Sequence, residues 1–352
     1  MTQMETKTFR VGLTRDFMKA DGSLAYGDIG LSALDAAKGV TWDFIQSDSH
    51  EISPEIAAQY DALIVLGRAV TRKTVQSTPR LCIVSRFGVG YDEVDVPACT
   101  DNGVILSTTI GASTRPVSTI ALLYILATSH KLMAKDRIAR SANWAERAEH
   151  MGVGLTGKTL CIVGFGNIGR DLAKLVQPLE MKLIAVDPYA RREDAAKLGV
   201  TLTDMEPAMK TADFVVVTAA LTPETRGLIG EKEFGLMKPS AFFINVARGP
   251  IADQKALTRA LSEKRIAGAG MDVFENEPAD PKDPIFKLGN VITSPHALAW
   301  TDEAFKRVGD MAVAAVLDVA AGRLPKVVVN RDVAGNQRLK ERLAFHAAGT
   351  RA

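Results

Sequence analysis

The sequence predicts a doubly wound α/β protein with two parallel sheets. Three observations predict it. Short apolar runs alternate with helical patterns from end to end. The runs are apolar at consecutive rather than alternate positions. A glycine turn of GxGxxG spacing opens one of the helices. A strand buried on both faces must be apolar throughout, as in a parallel sheet, and repeated strand–helix units build such a sheet.

In chain order the predicted strands are "FRVGLT", "TWDFIQ", "DALIVLG", "RLCIVSRFG" and "GVILST", then "KTLCIVGFG", "KLIAVDP", "DFVVVTAA", "AFFINVARG", "IAGAGMDVF" and "NVITSP". Segments such as "NIGRDLAKLVQPLE" and "ADQKALTRALSEK" carry the helical period between them. The split between sheets falls near Ser107. A long helix is expected in "TTIGASTRPVSTIALLYILATSHKLMAKDRIAR" and another in "TDEAFKRVGDMAVAAVLDVAAG", each passing from one domain to the other. A last strand, "KVVVN", is expected to return to the first sheet. Segments 1–107 and 299–352 therefore form one discontinuous domain, and 108–298 the other. The tail from Arg331 is charged and helical in character, either a docked arm or partly disordered.

Composition narrows the function. At 352 residues the chain suits two domains of ordinary size. A net charge of +2, without a dense basic block, gives no reason to expect nucleic acid. The apolar run "TIALLYILAT" is far too short to span a membrane, and "MTQMETKTFR" has no signal core. Cys82, Cys99 and Cys161 sit in or near apolar strands without CxxC spacing, which predicts buried free thiols, a cytoplasmic protein and no metal.

Gly164, Gly166 and Gly169 follow a buried strand and precede an amphipathic helix. The first glycine permits the tight turn, the second lets backbone approach a pyrophosphate, and the third lets helix pack on strand. The helix N-terminus offers free N–H groups to phosphate. Asp187 ends the next strand, 23 residues beyond Gly164, where a carboxylate bonds the adenosine ribose and repels a 2′-phosphate. A Rossmann domain binding NAD in preference to NADP is expected, with Arg191 and Arg192 as the residues that favour the phosphate. The cofactor contacts expected are Gly164, Gly166, Asn167, Ile168, Gly169, Asp187, Thr218, Ala219, Thr225, Val246 and Asp272.

Hydride transfer to or from a carbonyl needs a group to move a proton and a group to hold the substrate. In an open α/β sheet such groups lie beyond the carboxyl ends of strands. Arg248, Glu277 and His296 follow "AFFINVA", "GAGMDVF" and "VITSP". Arg248 presents a planar fork of donors suited to a carboxylate and its neighbouring carbonyl. Histidine is the acid–base suited to neutral pH. An acid on the other imidazole nitrogen fixes the tautomer, and Glu277 and Glu275 both stand where one is needed.

"VGFGNIGRDLA", "NVARGPIAD", "AGAGMDVFENEP" and "ITSPHALAW" resemble the successive signatures of the D-isomer-specific 2-hydroxyacid dehydrogenases, a family that includes phosphoglycerate dehydrogenases and glyoxylate/hydroxypyruvate reductases. The resemblance runs from about Leu63 to Asn330. It implies a Rossmann NAD(P) domain inserted into a split flavodoxin-like substrate domain, and a homodimer through the coenzyme domains. It also implies a small 2-keto or 2-hydroxy acid as substrate, and chemistry on Arg248, Glu277 and His296. It selects Glu277, because the family's acid directly precedes a proline. "SRFGVGYDEVDVPACTDNGV" is similar to the family's substrate loop, so Gly88, Val89 and Gly90 are implied in carboxylate binding, with Arg68 lining the pocket.

The chain departs from the family in two places. "TIGASTRPVST" carries Ser118 and Thr119 where the family has Ala-Glu, and "TAALT" places Thr218 and Ala220 where it has His and Pro. Arg115 is an extra cation, open to a surface ion pair or a second anionic group on the substrate. Trp300 is open to capping the pocket or to a structural place. Relatives acting on formate carry Gln in place of the acid, so Glu277 argues against formate; phosphite is not excluded this way. The alternative outside enzymes is an NAD-sensing corepressor, which "PHALAWTDE" also resembles.

Overall fold

The computed structural model describes residues 8–349. Residues 1–7, most of the stretch "MTQMETKTFR" expected to carry no signal core, and residues 350–352 lie outside that range. The chain divides into two compact units: Met1–Ser113 with Trp300–Ala352, and Thr114–Ala299. The boundaries expected from the sequence are 107/108 and 298/299.

The first unit is built on β1 (Phe9–Leu13), β2 (Val40–Phe44), β3 (Ala62–Val65), β4 (Ile83–Arg86) and β5 (Ile105–Thr108). All pair in parallel in the order β2-β1-β3-β4-β5, the flavodoxin-like winding. Successive side chains face opposite sides. Ala62 and Ile64 enter one core with Phe9, Val11 and Leu13, while Leu63 and Val65 enter the other. The central strand β3 is therefore apolar at every position, whereas the edge strand β2 alternates with exposed Thr41 and Asp43. The helix Asp302–Ala320 packs on this sheet, and Ser85 Oγ donates to Ala312 O.

"KVVVN" is not a strand. Val329 N–H bonds Leu106 O at 2.8 Å, but the next bond comes from a side chain: Asn330 Oδ1 accepts Leu106 N–H at 2.8 Å. Asn330 Nδ2 then donates to Val104 O. The amide takes over the strand's role and turns the chain away from β5. The tail docks as the helix Gln337–Gly349, held by Arg342, which donates to the carbonyls of Thr78, Pro79 and Leu81.

The second unit carries β6 (Thr159–Val163), β7 (Lys182–Val186), β8 (Val200–Leu202), β9 (Phe214–Val217), β10 (Phe242–Asn245), β11 (Gly268–Met271) and β12 (Val291–Thr293). Their order is β12-β11-β10-β9-β6-β7-β8, again all parallel. The order reverses between β6 and β9, the Rossmann switch point. Strand β8 escaped the sequence reading, being three residues long with Thr201 exposed.

The expected long helix is two, Thr114–Ser129 and Leu132–Arg140, bent by 59°. Lys131 takes φ 53°, and Ser129 O accepts Val153 N–H instead of continuing the helix. Pro116 falls in the first turn, where its missing N–H costs nothing. Among the described residues no single helix is long and apolar enough to cross a membrane. Cys82, Cys99 and Cys161 are free and buried.

Candidate active site

The glycine turn connects β6 to the helix Asn167–Val176. Gly164 has φ 93°, and a Cβ there would lie 2.4 Å from Ala219 Cα. A Cβ on Gly169 would meet Gly164 O at 2.5 Å, whereas around Gly166, the helix N-cap, nothing stands within 4 Å. Two glycines are thus needed for packing, and the third keeps open space before the helix N-terminus. The N–H groups of Asn167, Ile168 and Gly169 belong to that first turn and have no helical acceptor. Asp187, just past β7, accepts Phe165 N–H on Oδ2 at 2.7 Å and Tyr189 N–H on Oδ1 at 2.8 Å. Arg191 is held by Asp194 at 2.6 Å.

Opposite the turn, Thr218 donates its hydroxyl to Gly164 O at 2.6 Å. Thr225 donates to Ala220 O at 2.7 Å and accepts Thr222 N–H, so its hydroxyl closes a local turn. Val246 is buried after β10.

Arg248, Glu277 and His296 follow β10, β11 and β12, three neighbouring parallel strands, so their loops leave the same sheet edge side by side. His296 Nδ1 lies 2.7 Å from Glu277 Oε2. The other Glu277 oxygen accepts Phe274 N–H at 2.9 Å, which fixes the carboxylate. Burial pushes the Glu277 carboxyl up, but the bond and charge of His296, the Phe274 N–H and the Arg248 charge together hold it below its ordinary value. Glu275 is exposed, and its N–H bonds Gln254 Oε1. Arg248 donates to Ala247 O at 2.8 Å. The Arg248 and Glu277 loops touch at Gly249, where a Cβ would lie 1.8 Å from Phe274 O.

Three supporting residues were not found from sequence. Asn245, fully buried at the end of β10, accepts Ala247 N–H and donates to Arg248 O. Ser294 donates to Asp272 Oδ1, and the hydroxyl of buried Tyr124 lies 2.5 Å from Ser294 Oγ and 3.0 Å from Met271 O. Asp272 Oδ1 also accepts Ala297 and Leu298 N–H, each at 3.2 Å, and its carbonyl accepts His296 N–H at 2.7 Å. Burial raises the Asp272 carboxyl above its ordinary value, against the pull of these donors. Asn245 was the most legible of the three, a polar residue ending an apolar strand three positions before Arg248.

Arg115 is engaged: it donates to Asp171 Oδ1 at 2.8 Å, and Ser118 donates to the other oxygen. In the first unit, the Gly88–Gly90 turn follows β4, with φ 137° at Gly88. Arg68 donates to Asp48 O at 2.9 Å and lies 3.7 Å from Asp16 Oδ2. Trp300 meets Tyr26 and Phe305 edge-on, at 5.1 and 5.5 Å.

An open parallel sheet with a GxGxxG turn and a His–carboxylate pair at its carboxyl edge fits a hydride-transferring class. Residues 122–297 match the family model of the D-isomer specific 2-hydroxyacid dehydrogenase NAD binding domain. The chain is 37% identical over 286 residues to a glyoxylate reductase of Thermococcus litoralis, covering 79% of this chain and 86% of that one. It is 36% identical over 273 residues to a D-3-phosphoglycerate dehydrogenase of Archaeoglobus fulgidus, covering 77% of this chain and 52% of that longer one. A solved 2-hydroxyacid dehydrogenase of Ketogulonicigenium vulgare superposes with a TM-score of 0.77 at 26% identity, over 92% of this chain and 98% of that one. The chain belongs to the D-isomer specific 2-hydroxyacid dehydrogenases. It is an NAD-dependent oxidoreductase of the class that interconverts keto and hydroxy acids.

Proposed function

We propose that the protein reduces a small 2-keto acid to the D-2-hydroxy acid with NADH, using His296 as acid–base, Glu277 to orient it and Arg248 to hold the substrate. The observation that carries this is the 2.7 Å His296–Glu277 pair in the loops after β12 and β11, next to the loop after β10 that bears Arg248. The nicotinamide supplies the hydride. His296 gives a proton to the carbonyl oxygen as the carbon is reduced, so the carbonyl becomes a hydroxyl, and the reverse oxidation returns both. Glu277 accepts from Nδ1, which leaves Nε2 as the nitrogen that serves substrate. Arg248 spans the carboxylate and the carbonyl oxygen.

The open space before Gly166 suits a pyrophosphate, and Asp187, pinned by two N–H groups, suits ribose hydroxyls and opposes a 2′-phosphate. We assign NAD over NADP on that carboxylate, against Arg192 and Arg191, the latter paired with Asp194. Asp272 Oδ2 makes no hydrogen bond among the described residues, which leaves it for the cofactor. Gly88, Val89 and Gly90 are assigned to the substrate carboxylate, and their N–H groups lack an acceptor among the described residues, which supports it. Arg115, spent on Asp171, is not assigned a second substrate anion. Exposed Leu123, Leu132, Met133, Trp144 and Met151 in the second unit support a homodimer through that unit. We place the protein in the cytoplasm on its three reduced, buried thiols.

The test is a panel of NADH and NADPH with glyoxylate, hydroxypyruvate, pyruvate, 2-ketoglutarate and branched 2-keto acids, glyoxylate first because several relatives are named for it. His296→Ala and Arg248→Ala should each lose activity by orders of magnitude with the fold intact. Unchanged turnover in His296→Ala refutes the acid–base assignment.

A further inference from the structure

His296 adopts φ 53°, a left-handed conformation that costs a non-glycine residue about 1 kcal/mol. Something must hold the loop there, and the contacts that do so form one connected chain. Asp272 contributes its carbonyl to His296 N–H and its Oδ1 to the N–H groups of Ala297 and Leu298. Those last two bonds are long, so they fix the loop only if the carboxylate cannot rotate. Ser294 prevents rotation by giving its one hydroxyl proton to the same Oδ1. That leaves the Ser294 lone pairs for the Tyr124 hydroxyl, 2.5 Å away, whose one proton is shared between Ser294 Oγ and Met271 O at 3.0 Å.

Tyr124 is itself immobile. It is 1% exposed on the helix Thr114–Ser129, and its ring fills the space above Gly270, where a Cβ would lie 2.5 Å from ring Cδ1. The chain thus runs from a buried helix to the backbone of the His296 loop entirely within the second unit. Hydrogen bonds linked in this way stiffen one another inside a protein.

We propose that Tyr124 is a positioning residue: its hydroxyl, acting through Ser294 and Asp272, holds the loop that presents the His296 ring to Glu277 and substrate. The kinetic part rests on the assignment of His296 as acid–base. Tyr124→Phe deletes one oxygen and keeps the ring over Gly270. With NADH and glyoxylate, or the best acceptor of the panel, kcat should fall about tenfold, because displacement of a reacting group by a fraction of an ångström costs that much or more. NADH affinity, read by fluorescence, should stay unchanged. In a His296→Ala background, Tyr124→Phe should cause no further loss, and Ser294→Ala should behave as Tyr124→Phe does.

A second readout is independent of turnover. The imidazole proton shared with Glu277 should give an NMR resonance in the wild type, and it should broaden or vanish in Tyr124→Phe and in Ser294→Ala. Wild-type kcat with an unaltered resonance in Tyr124→Phe overturns the proposal, and so does an equal further loss in the His296→Ala background. If His296→Ala turns over normally, the acid–base reading fails, and the resonance alone then decides whether Tyr124 holds the loop.

Discussion

Replacing Glu277 with Gln isolates the charge in the His296 pair. The amide oxygen still accepts from Nδ1 at the same reach, so geometry is kept and only the negative charge is lost. A hydrogen bond to a charged group contributes about 1.5–3 kcal/mol. The two side chains are 41% and 37% exposed, so solvent screening favours the lower end. About 1.4 kcal/mol of lost transition-state stabilisation is about tenfold in kcat/KM. The assay is the initial rate of NADH loss with the best 2-keto acid, across pH. The sign with pH follows from the depressed Glu277 carboxyl. Its contribution to folding is full above the unfolded value of about 4.3 and is lost as pH falls through the lower folded-state value. Wild type should therefore melt above Glu277→Gln near neutrality, and the gap should close in acid. A variant as active and as stable as wild type at neutral pH would show that the carboxylate does not support the ring.

Three further outcomes are expected. Asp187→Ala should narrow the preference for NADH over NADPH in the ratio of kcat/KM values, and an unchanged ratio would show that this carboxylate does not meet the ribose. Gly249→Ala cannot be accommodated against Phe274 O without parting the Arg248 and Glu277 loops; it should cost about 1–3 kcal/mol in denaturant melts and raise KM for the keto acid more than for NADH. Burial pushes the thiols of Cys82, Cys99 and Cys161 up to about 12; they should resist alkylation in the native state near pH 8 and react on unfolding, and stability they lend below the unfolded value of about 8.5 should be lost as pH rises toward their folded values.

The strands were legible because a chain buried on both faces reads as a near-continuous apolar run, and most of the eleven runs met that demand, the edge strand "TWDFIQ" least. "KVVVN" meets it too, yet Asn330 supplies side-chain atoms where a strand would supply backbone, which no apolar count reveals. Arg248 and His296 were legible as candidates because they directly follow such runs, whereas Glu277 was separated from Glu275 only by the family resemblance. The support beneath the three was not legible. Tyr124 lies 147 residues from Met271 and 170 from Ser294, and its hydroxyl looks like any other until the helix is laid on the sheet. The bend after Ser129 was hidden for a similar reason, since the group that ends the helix is Val153, 24 positions away.

The way Val329 and Asn330 lie along β5 bears on how the protein behaves in a crowded cell. An outermost strand with its N–H and C=O groups bare invites a strand from another molecule. Here Leu106, at the centre of β5, has both groups occupied from within the same chain, and the amide that occupies one of them ends the ladder instead of extending it. The first sheet is closed to growth on that side, so self-association by strand addition has no template there.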